Sequence, residues 1–152
     1  MAGVWFDDLT LGQVFHHPIR RTVTELDNVL FSSLTHNPAL LHLDADYMAG
    51  TPYGQRIVNS AFTLGLVVGI SVGETTLGTA VANLGWDEVR FPHPLFHGDT
   101  VHVITQVIGL RASKSRPNAG IATFLHEGYN QKEQLIASCK RSGLQLKRPC
   151  QC

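Results

Sequence analysis

The second half of the chain has the hydrophobic pattern of a sheet. From Thr79 to residue 146, apolar and polar residues alternate with a period of two, which is typical of strands that bury one face. Clusters of proline, glycine, asparagine and aspartate interrupt the alternation three times, as turns between strands do. The pattern predicts four strands, over residues 80–91, 100–110, 121–130 and 134–146.

The first half of the chain begins with a predicted strand and then a helix. The strand is expected over 14–23, and Thr22 and Glu25 then form a capping box that starts the helix. Apolar residues recur along this helix at spacings of three and four, at Leu26, Val29, Leu30 and Leu34. The helix should end at Asn37-Pro38, because the residue before a proline is pushed out of the helical conformation.

A second, longer helix is expected to form the centre of the fold. Residues 57–73 are apolar around the whole circumference, so this helix should be buried on every side. Together with five strands it predicts an α+β fold, in which an antiparallel sheet wraps around a long buried helix. We expect one domain over 1–152 with a loose tail over 146–152. We also expect a homodimer or higher homo-oligomer, because association protects exposed sheet edges.

Composition and charge argue against several classes of function. Twelve basic residues balance twelve acidic ones, so no excess of positive charge favours a nucleic-acid partner. The chain has no charged-then-apolar leader and no apolar stretch long enough to span a bilayer, so we expect a soluble cytoplasmic protein without a membrane partner. Three cysteines without paired spacing fit a reducing compartment. Cys150 and Cys152 could bind a metal, but a frayed tail is the favoured interpretation.

One segment carries a more specific signal. Residues 34–44, which end in His42-Leu43-Asp44, resemble the signature of MaoC-like (R)-specific enoyl-CoA hydratases: aspartate, any residue, asparagine, proline, an aliphatic residue, then histidine. Residues 56–60 are similar to the start of that family's central helix, and residues 89–100 to its arginine-phenylalanine, proline and glycine-aspartate strand pair. The resemblance covers about residues 6–146. It implies the hotdog fold and a hydratase or dehydratase acting on acyl-CoA thioesters.

The segment departs from the family signature at important positions. With His42 as the anchor, Asn37 stands where the family has its catalytic aspartate. Ser60 then stands at the glycine whose backbone amide contacts the thioester oxygen. Anchoring on Asn37-Pro38 instead places Thr35 at the aspartate position and leaves the histidine too late. Under either alignment the family's acidic residue is missing.

The resemblance implies that His42 carries a proton during hydration of the carbon–carbon double bond. Its ring changes protonation near neutral pH, which suits a base that must also return a proton. Asn37 can orient the water but cannot carry a proton. The second proton carrier is then Asp44 or His36, or His42 does both jobs. Asp44 as a helix cap, His36 as a solvated helix end and His42 as a buried structural residue are the alternative interpretations.

Substrate binding is assigned to the start of the long helix and to basic residues. The Ser60 amide and the Asn59 side chain are candidate donors to the thioester oxygen, although Asn59 could equally be a plain helix cap. Arg90 and Arg116 are candidate contacts for the phosphates of coenzyme A, and a solvated loop explains Arg116 equally well. Coenzyme A enters as part of the substrate, and we expect no other cofactor. Metal ligation is not expected, because the histidines lack the spacing of metal ligands, notably His93, His97 and His102.

Three functions remain open on the sequence. The leading one is reversible hydration of an enoyl-CoA, with a branched or dicarboxylic substrate of the methylmalyl-CoA or mesaconyl-CoA type. A hotdog thioesterase is the second, although residues 61–73 contain no carboxylate and Glu74 comes only at the end of the helix. A non-catalytic acyl-CoA-binding subunit is the third, because the family's aspartate is absent.

Overall fold

The computed structural model describes residues 3–149 and contains one six-stranded antiparallel sheet and four α-helices. The strands are β1 (Val14–His16), β2 (Arg21–Thr22), β3 (Ala80–Arg90), β4 (Thr100–Ala112), β5 (Ala119–Tyr129) and β6 (Leu135–Leu146). The helices are α1 (Glu25–Leu34), α2 (Leu40–Leu43), α3 (Ala45–Ala49) and α4 (Ser60–Thr75), and a 3-10 turn covers Phe6–Asp8. The sheet order is β1-β4-β5-β6-β3, and β2 also pairs with β4.

The core lies between α4 and the sheet. One face of α4 packs on β4, β5 and β6, whose residues alternate between buried and partly exposed positions. The centre of this contact is formed by aliphatic side chains, among them Val67 and Ile70 of α4 with Val101, Val103 and Ile136 of the sheet. The four long predicted strands are therefore present, and their ends differ from the prediction by at most two residues.

The predicted strand over 14–23 is wrong as a continuous element. It is divided into β1 and β2, which both pair with β4 and are separated at Pro18. Proline has no backbone N–H to donate to a neighbouring strand, so the ladder breaks there. The predicted capping box is also misplaced. Thr24 caps α1 and exchanges hydrogen bonds with Asp27, two residues after the predicted pair.

The buried face of α1 is polar. Leu26, Leu30 and Leu34 are 68%, 50% and 71% exposed, whereas Asn28 and Ser32 are 1% and 0% exposed. The three-and-four spacing correctly predicted a helix but did not show which face the protein buries. The helix also ends earlier than predicted, at Leu34, and Thr35 is its C-terminal cap.

The central helix starts later than predicted and is not buried on every side. Ile57 forms an isolated bridge with Phe96, and α4 begins only at Ser60. Ala61, Gly65 and Gly69 lie on a face of α4 that is exposed in the single chain. This face has no cover from the chain's own sheet.

The predicted loose tail over 146–152 is partly ordered. Leu146 is the last residue of β6, and the Lys147 amide donates to the Asn118 carbonyl at 2.9 Å. Arg148 donates from its backbone to Asp7 and from its guanidinium to Asp8. Cys150 and Cys152 lie outside the described residues. Between residues 3 and 149, no helix has both the length and the hydropathy needed to cross a membrane.

Candidate active site

His42 lies on the one-turn helix α2 with its ring held on one side. The side chain Nδ1 is 2.7 Å from the Ile57 carbonyl oxygen. A carbonyl only accepts, so Nδ1 carries a proton, and in the neutral form of the ring Nε2 presents its lone pair. No hydrogen bond within the part of the chain that the structure describes occupies Nε2. The residue is 8% exposed, so the ring is held in a largely water-excluded position with one basic nitrogen available.

Asn28 of α1 connects His42 to the start of α4. Its Nδ2 donates to the backbone carbonyls of His42 at 3.1 Å and Ile57 at 3.2 Å. Its Oδ1 accepts from the Asn59 amide at 3.0 Å. The Asn59 side chain in turn donates to Ser32 Oγ at 3.3 Å. Three separate segments of the chain are therefore joined through one buried amide.

The start of α4 provides a possible oxyanion site. Asn59 is the N-cap, and its Oδ1 accepts from the Ala61 amide at 3.0 Å, as the cap interpretation predicted. The Ser60 amide has no acceptor within the helix, because the first amides of a helix lie before the first intrahelical bond. Together with the helix dipole, this amide favours negative charge in front of the helix.

A cavity of about 280 Å³ opens in front of Ser60. Its wall combines apolar and aromatic groups with a few polar ones, among them Tyr53, Ile57, Thr63, Phe91, Pro92 and His93. His42 is not one of the residues that line this cavity; it is connected to the wall through Ile57, which lines the cavity and accepts the hydrogen bond from His42 Nδ1. A thioester in the cavity would therefore have the Ser60 amide as an oxyanion donor, with His42 hydrogen-bonded to the Ile57 segment of the wall.

The other two candidate catalytic residues have bonds to the backbone. Asn37 is half-buried beside Pro38 and Leu43, and its Oδ1 accepts from the Ala39 amide at 3.1 Å. Asn37 lines a separate cavity with Ser32 and His36 and not the one in front of Ser60, so its role in orienting water stays a prediction. Asp44 Oδ1 accepts from the Tyr47 amide at 2.9 Å and caps α3, which is the structural alternative the sequence left open.

The two candidate arginines lie in different places. Arg90 is exposed at the end of β3, directly before Phe91 and Pro92 of the cavity wall. Arg116 lies in the turn between β4 and β5. Phe96, which pairs with Ile57, precedes the other end of β4, and thirteen residues of strand span roughly 40 Å. Within one chain, Arg116 is therefore at the end of the sheet opposite to His42.

Sequence reasoning missed an ion pair next to the site. The Arg56 guanidinium donates to the Glu25 carboxylate, and the Arg56 side chain is 11% exposed. The arginine holds the pKa of Glu25 below its usual range. This pair ties the start of α1 to the residue before Ile57. The spacing of four residues between Asn28 and Ser32 was the available sequence signal that α1 buries a polar face. Interpreting this signal requires knowledge of the tertiary contacts.

A second polar cluster crosses the core near the other end of α4. Arg141 Nε donates to His126 Nε2 at 3.2 Å, so the His126 proton is on Nδ1 and is donated to Thr105 Oγ1 at 2.9 Å. The Thr105 hydroxyl then donates to His17 Nε2 at 2.9 Å, and His17 Nδ1 donates to Glu74 at 2.5 Å. Burial, with Arg141 nearby, lowers the pKa of His126 to about 3. The hydrogen bonds of this chain all run in one direction, from Arg141 to Glu74.

Metal binding has no support among residues 3–149, which hold no group of three or more histidine, cysteine, aspartate or glutamate side chains suited to a metal ion.

Comparison with known proteins identifies the relatives of this chain. The chain is 31% identical to the β-methylmalyl-CoA dehydratase of Chloroflexus aurantiacus over 88% of its own length and 38% of that protein. It is also 31% identical to the mesaconyl-CoA hydratase of Cereibacter sphaeroides, over 97% of its own length and 42% of that protein. The chain thus spans about two fifths of the length of these curated relatives.

Solved structures support the predicted fold. A monoamine oxidase regulatory protein from Archaeoglobus superposes with a TM-score of 0.85 at 26% identity, covering 98% of both chains. A Mycobacterium tuberculosis protein with a double hotdog fold superposes with a TM-score of 0.86 at 27% identity, over 99% of this chain and 46% of that one. The hotdog prediction is confirmed. A family model for the MaoC-like domain matches residues 8–129, and the chain therefore belongs to the MaoC-like domain family.

Proposed function

We propose that this chain catalyses the reversible addition of water to an enoyl-CoA thioester. The observation that carries the proposal is the His42 ring, open at Nε2 and held at Nδ1 by the carbonyl of Ile57, three residues before the start of α4. The relatives named as a dehydratase and as hydratases support the same reaction class. Their printed substrates favour a branched, dicarboxylic acyl group of the methylmalyl or mesaconyl type.

The residues assign a simple proton balance to the reaction. His42 Nε2 removes a proton from water as the hydroxyl oxygen bonds to the β-carbon and the double-bond electrons move towards the thioester carbonyl. The Ser60 amide and the α4 dipole stabilise the enolate oxygen that results. The imidazolium then returns a proton to the α-carbon, so one base can serve both steps. Asn37 Nδ2 orients the attacking water in place of the family's aspartate.

The position of Glu74 favours a hydratase over a thioesterase. It is the one carboxylate in α4, and it accepts a 2.5 Å hydrogen bond from buried His17 at the helix end opposite to Ser60. A carboxylate held in that way is not available to attack a thioester or activate water in front of Ser60.

We also propose that the chain acts as a homodimer. The edge strand β3 is exposed along its length, including Leu84 at 51% and Trp86 at 47%, and the exposed face of α4 is rich in glycine. The double-hotdog relative carries its second hotdog unit in the same chain, so a second copy would supply that unit here. Light scattering should give the mass of a dimer for wild type and a monomer for Trp86→Glu.

A panel of enoyl-CoA and 3-hydroxyacyl-CoA thioesters tests the proposed reaction. Loss of enoyl absorbance without release of free thiol, fastest for mesaconyl-type substrates, is the expected result. Release of free coenzyme A would identify a thioesterase and contradict the proposal. Tight binding of the thioesters without any turnover would contradict it as well, in favour of a binding subunit.

A further inference from the structure

The buried side chain of Asn28 makes three hydrogen bonds to segments of the candidate site, although it has no assigned catalytic role. It is 1% exposed, and its amide bonds to the His42 carbonyl, the Ile57 carbonyl and the Asn59 amide. These partners lie 14 to 31 residues further along the chain. None of these bonds is a backbone bond within a helix or strand. They therefore hold α1, α2 and the segment that leads into α4 in fixed positions relative to one another.

The Ile57 carbonyl is the point where Asn28 acts on His42. This oxygen receives both His42 Nδ1 at 2.7 Å and Asn28 Nδ2 at 3.2 Å, which uses both of its lone pairs. Asn28 thereby fixes the direction of the carbonyl that determines the tautomer of His42. It holds the His42 backbone carbonyl with the same nitrogen, so ring and backbone are set together.

The other end of the same amide sets the oxyanion donor. Asn28 Oδ1 accepts from the Asn59 amide, directly before Ser60, and so defines where the first turn of α4 begins. We propose that Asn28 is a positioning residue that holds the base His42 and the α4 N-terminus in one geometry. This inference rests on the proposed hydratase function and adds the group that joins its two halves.

Two variants separate positioning from a purely structural role. Asn28→Ala removes all three bonds, and we expect the His42 ring to lose its single tautomer. Asn28→Asp is isosteric and keeps the bond from the Asn59 amide, but it removes the Nδ2 group that donates to the two carbonyls. In that variant too the His42 ring should lose its single Nδ1-protonated tautomer, because Asn28 Nδ2 no longer holds the Ile57 carbonyl.

Nitrogen-15 NMR of the histidine rings measures both effects without any substrate. Wild type should show His42 with Nδ1 protonated and Nε2 bare. Where activity is present, kcat of Asn28→Ala should fall about tenfold to a hundredfold with little change in KM, because misplacement of a base acts on the chemical step. The isosteric Asn28→Asp keeps the test available if Asn28→Ala does not fold.

Asn130→Asp is the matched control. Asn130 is 3% exposed and organises the turn between β5 and β6 through Lys132 and Gln134, with no bond to the His42 region. The Asn130→Asp variant should be less stable than wild type, but its nitrogen-15 NMR signals from His42 should be unchanged. The proposal is overturned if His42 keeps one Nδ1-protonated tautomer in the folded Asn28 variants. Absence of turnover in wild type would instead refute the proposed function, while the NMR result would still decide the role of Asn28.

Discussion

Two groups of buried histidines lie near opposite ends of α4, and they differ in one respect. His126 and His17 have both ring nitrogens occupied, by Arg141, Thr105 and Glu74. His42 is nearly as buried, but the described residues satisfy only its Nδ1. Burial alone therefore does not separate His126 and His17 from His42, the proposed catalytic residue. The three differ in that the described residues leave His42 Nε2 available for a ligand.

The largest expected effect concerns His42. His42→Ala should lower kcat by about a thousandfold, since it removes the proposed base. His126→Asn should lower stability and leave kcat of the folded fraction close to wild type. Steady-state kinetics at matched concentrations of folded protein measure both variants. A comparable loss of kcat in His126→Asn would contradict the distinction between the two ends.

The next effect concerns the structural end. Thr105→Val keeps the shape of the side chain but leaves His126 Nδ1 and His17 Nε2 without partners in the core, so the free energy of unfolding should fall by about 3 kcal/mol. Thr123→Val is the control, because Thr123 is half-buried and bonds only to Ser142. Urea unfolding followed by circular dichroism measures the difference. Equal losses of unfolding free energy in the two variants would mean that the buried hydrogen-bond chain adds no more stability than the Thr123–Ser142 bond.

The low pKa of His126 predicts a pH dependence of stability. The unfolded residue takes up a proton near pH 6.5, whereas the folded residue does so only near pH 3. The unfolded state therefore binds more protons between these values, and stability falls as the pH is lowered through that window. The loss should be roughly 2 kcal/mol between pH 7 and pH 5.

His126→Asn should flatten this dependence, while substitution of the exposed His16 by glutamine should leave it unchanged. Urea unfolding at a series of pH values measures the slopes. An unchanged slope in His126→Asn would show that another group titrates.

The smallest effect sharpens the assignment around His42. Asp44 caps α3, so Asp44→Ala should cost about 1 kcal/mol, and Asp44→Asn should cost little because asparagine caps as well as aspartate. Neither change should alter kcat strongly. A large fall of kcat in Asp44→Asn with unchanged melting temperature would identify Asp44 as the second proton carrier.

The sequence predicted the long strands well and the buried polar contacts poorly. Period-two alternation located β3 to β6, because each strand buries one face. The burial of α1 could not be predicted, since Leu26 and Leu30 form the more hydrophobic face and yet are exposed. The buried face of α1 is determined by the partners of Asn28, which lie far along the chain. The local spacing of apolar residues carries no information about such partners.

The candidate site shows the same limit. Resemblance to a family motif found His42, and helix capping rules found Asn59. Neither could find Asn28, the Arg56–Glu25 pair or the His17–Arg141 chain, because these depend on contacts between distant segments. Positions that bond across the fold are therefore the part of the site that only the structure provides.

Chemical rescue tests the central claim, that His42 Nε2 is the base of a CoA-thioester hydratase, most directly. The initial rate of hydration of a mesaconyl-type thioester is measured for His42→Ala with and without added imidazole. We expect a very low rate that rises with imidazole, and no such rise in His42→Gln, where the longer side chain fills the space. A His42→Ala rate equal to that of wild type without imidazole would contradict the claim.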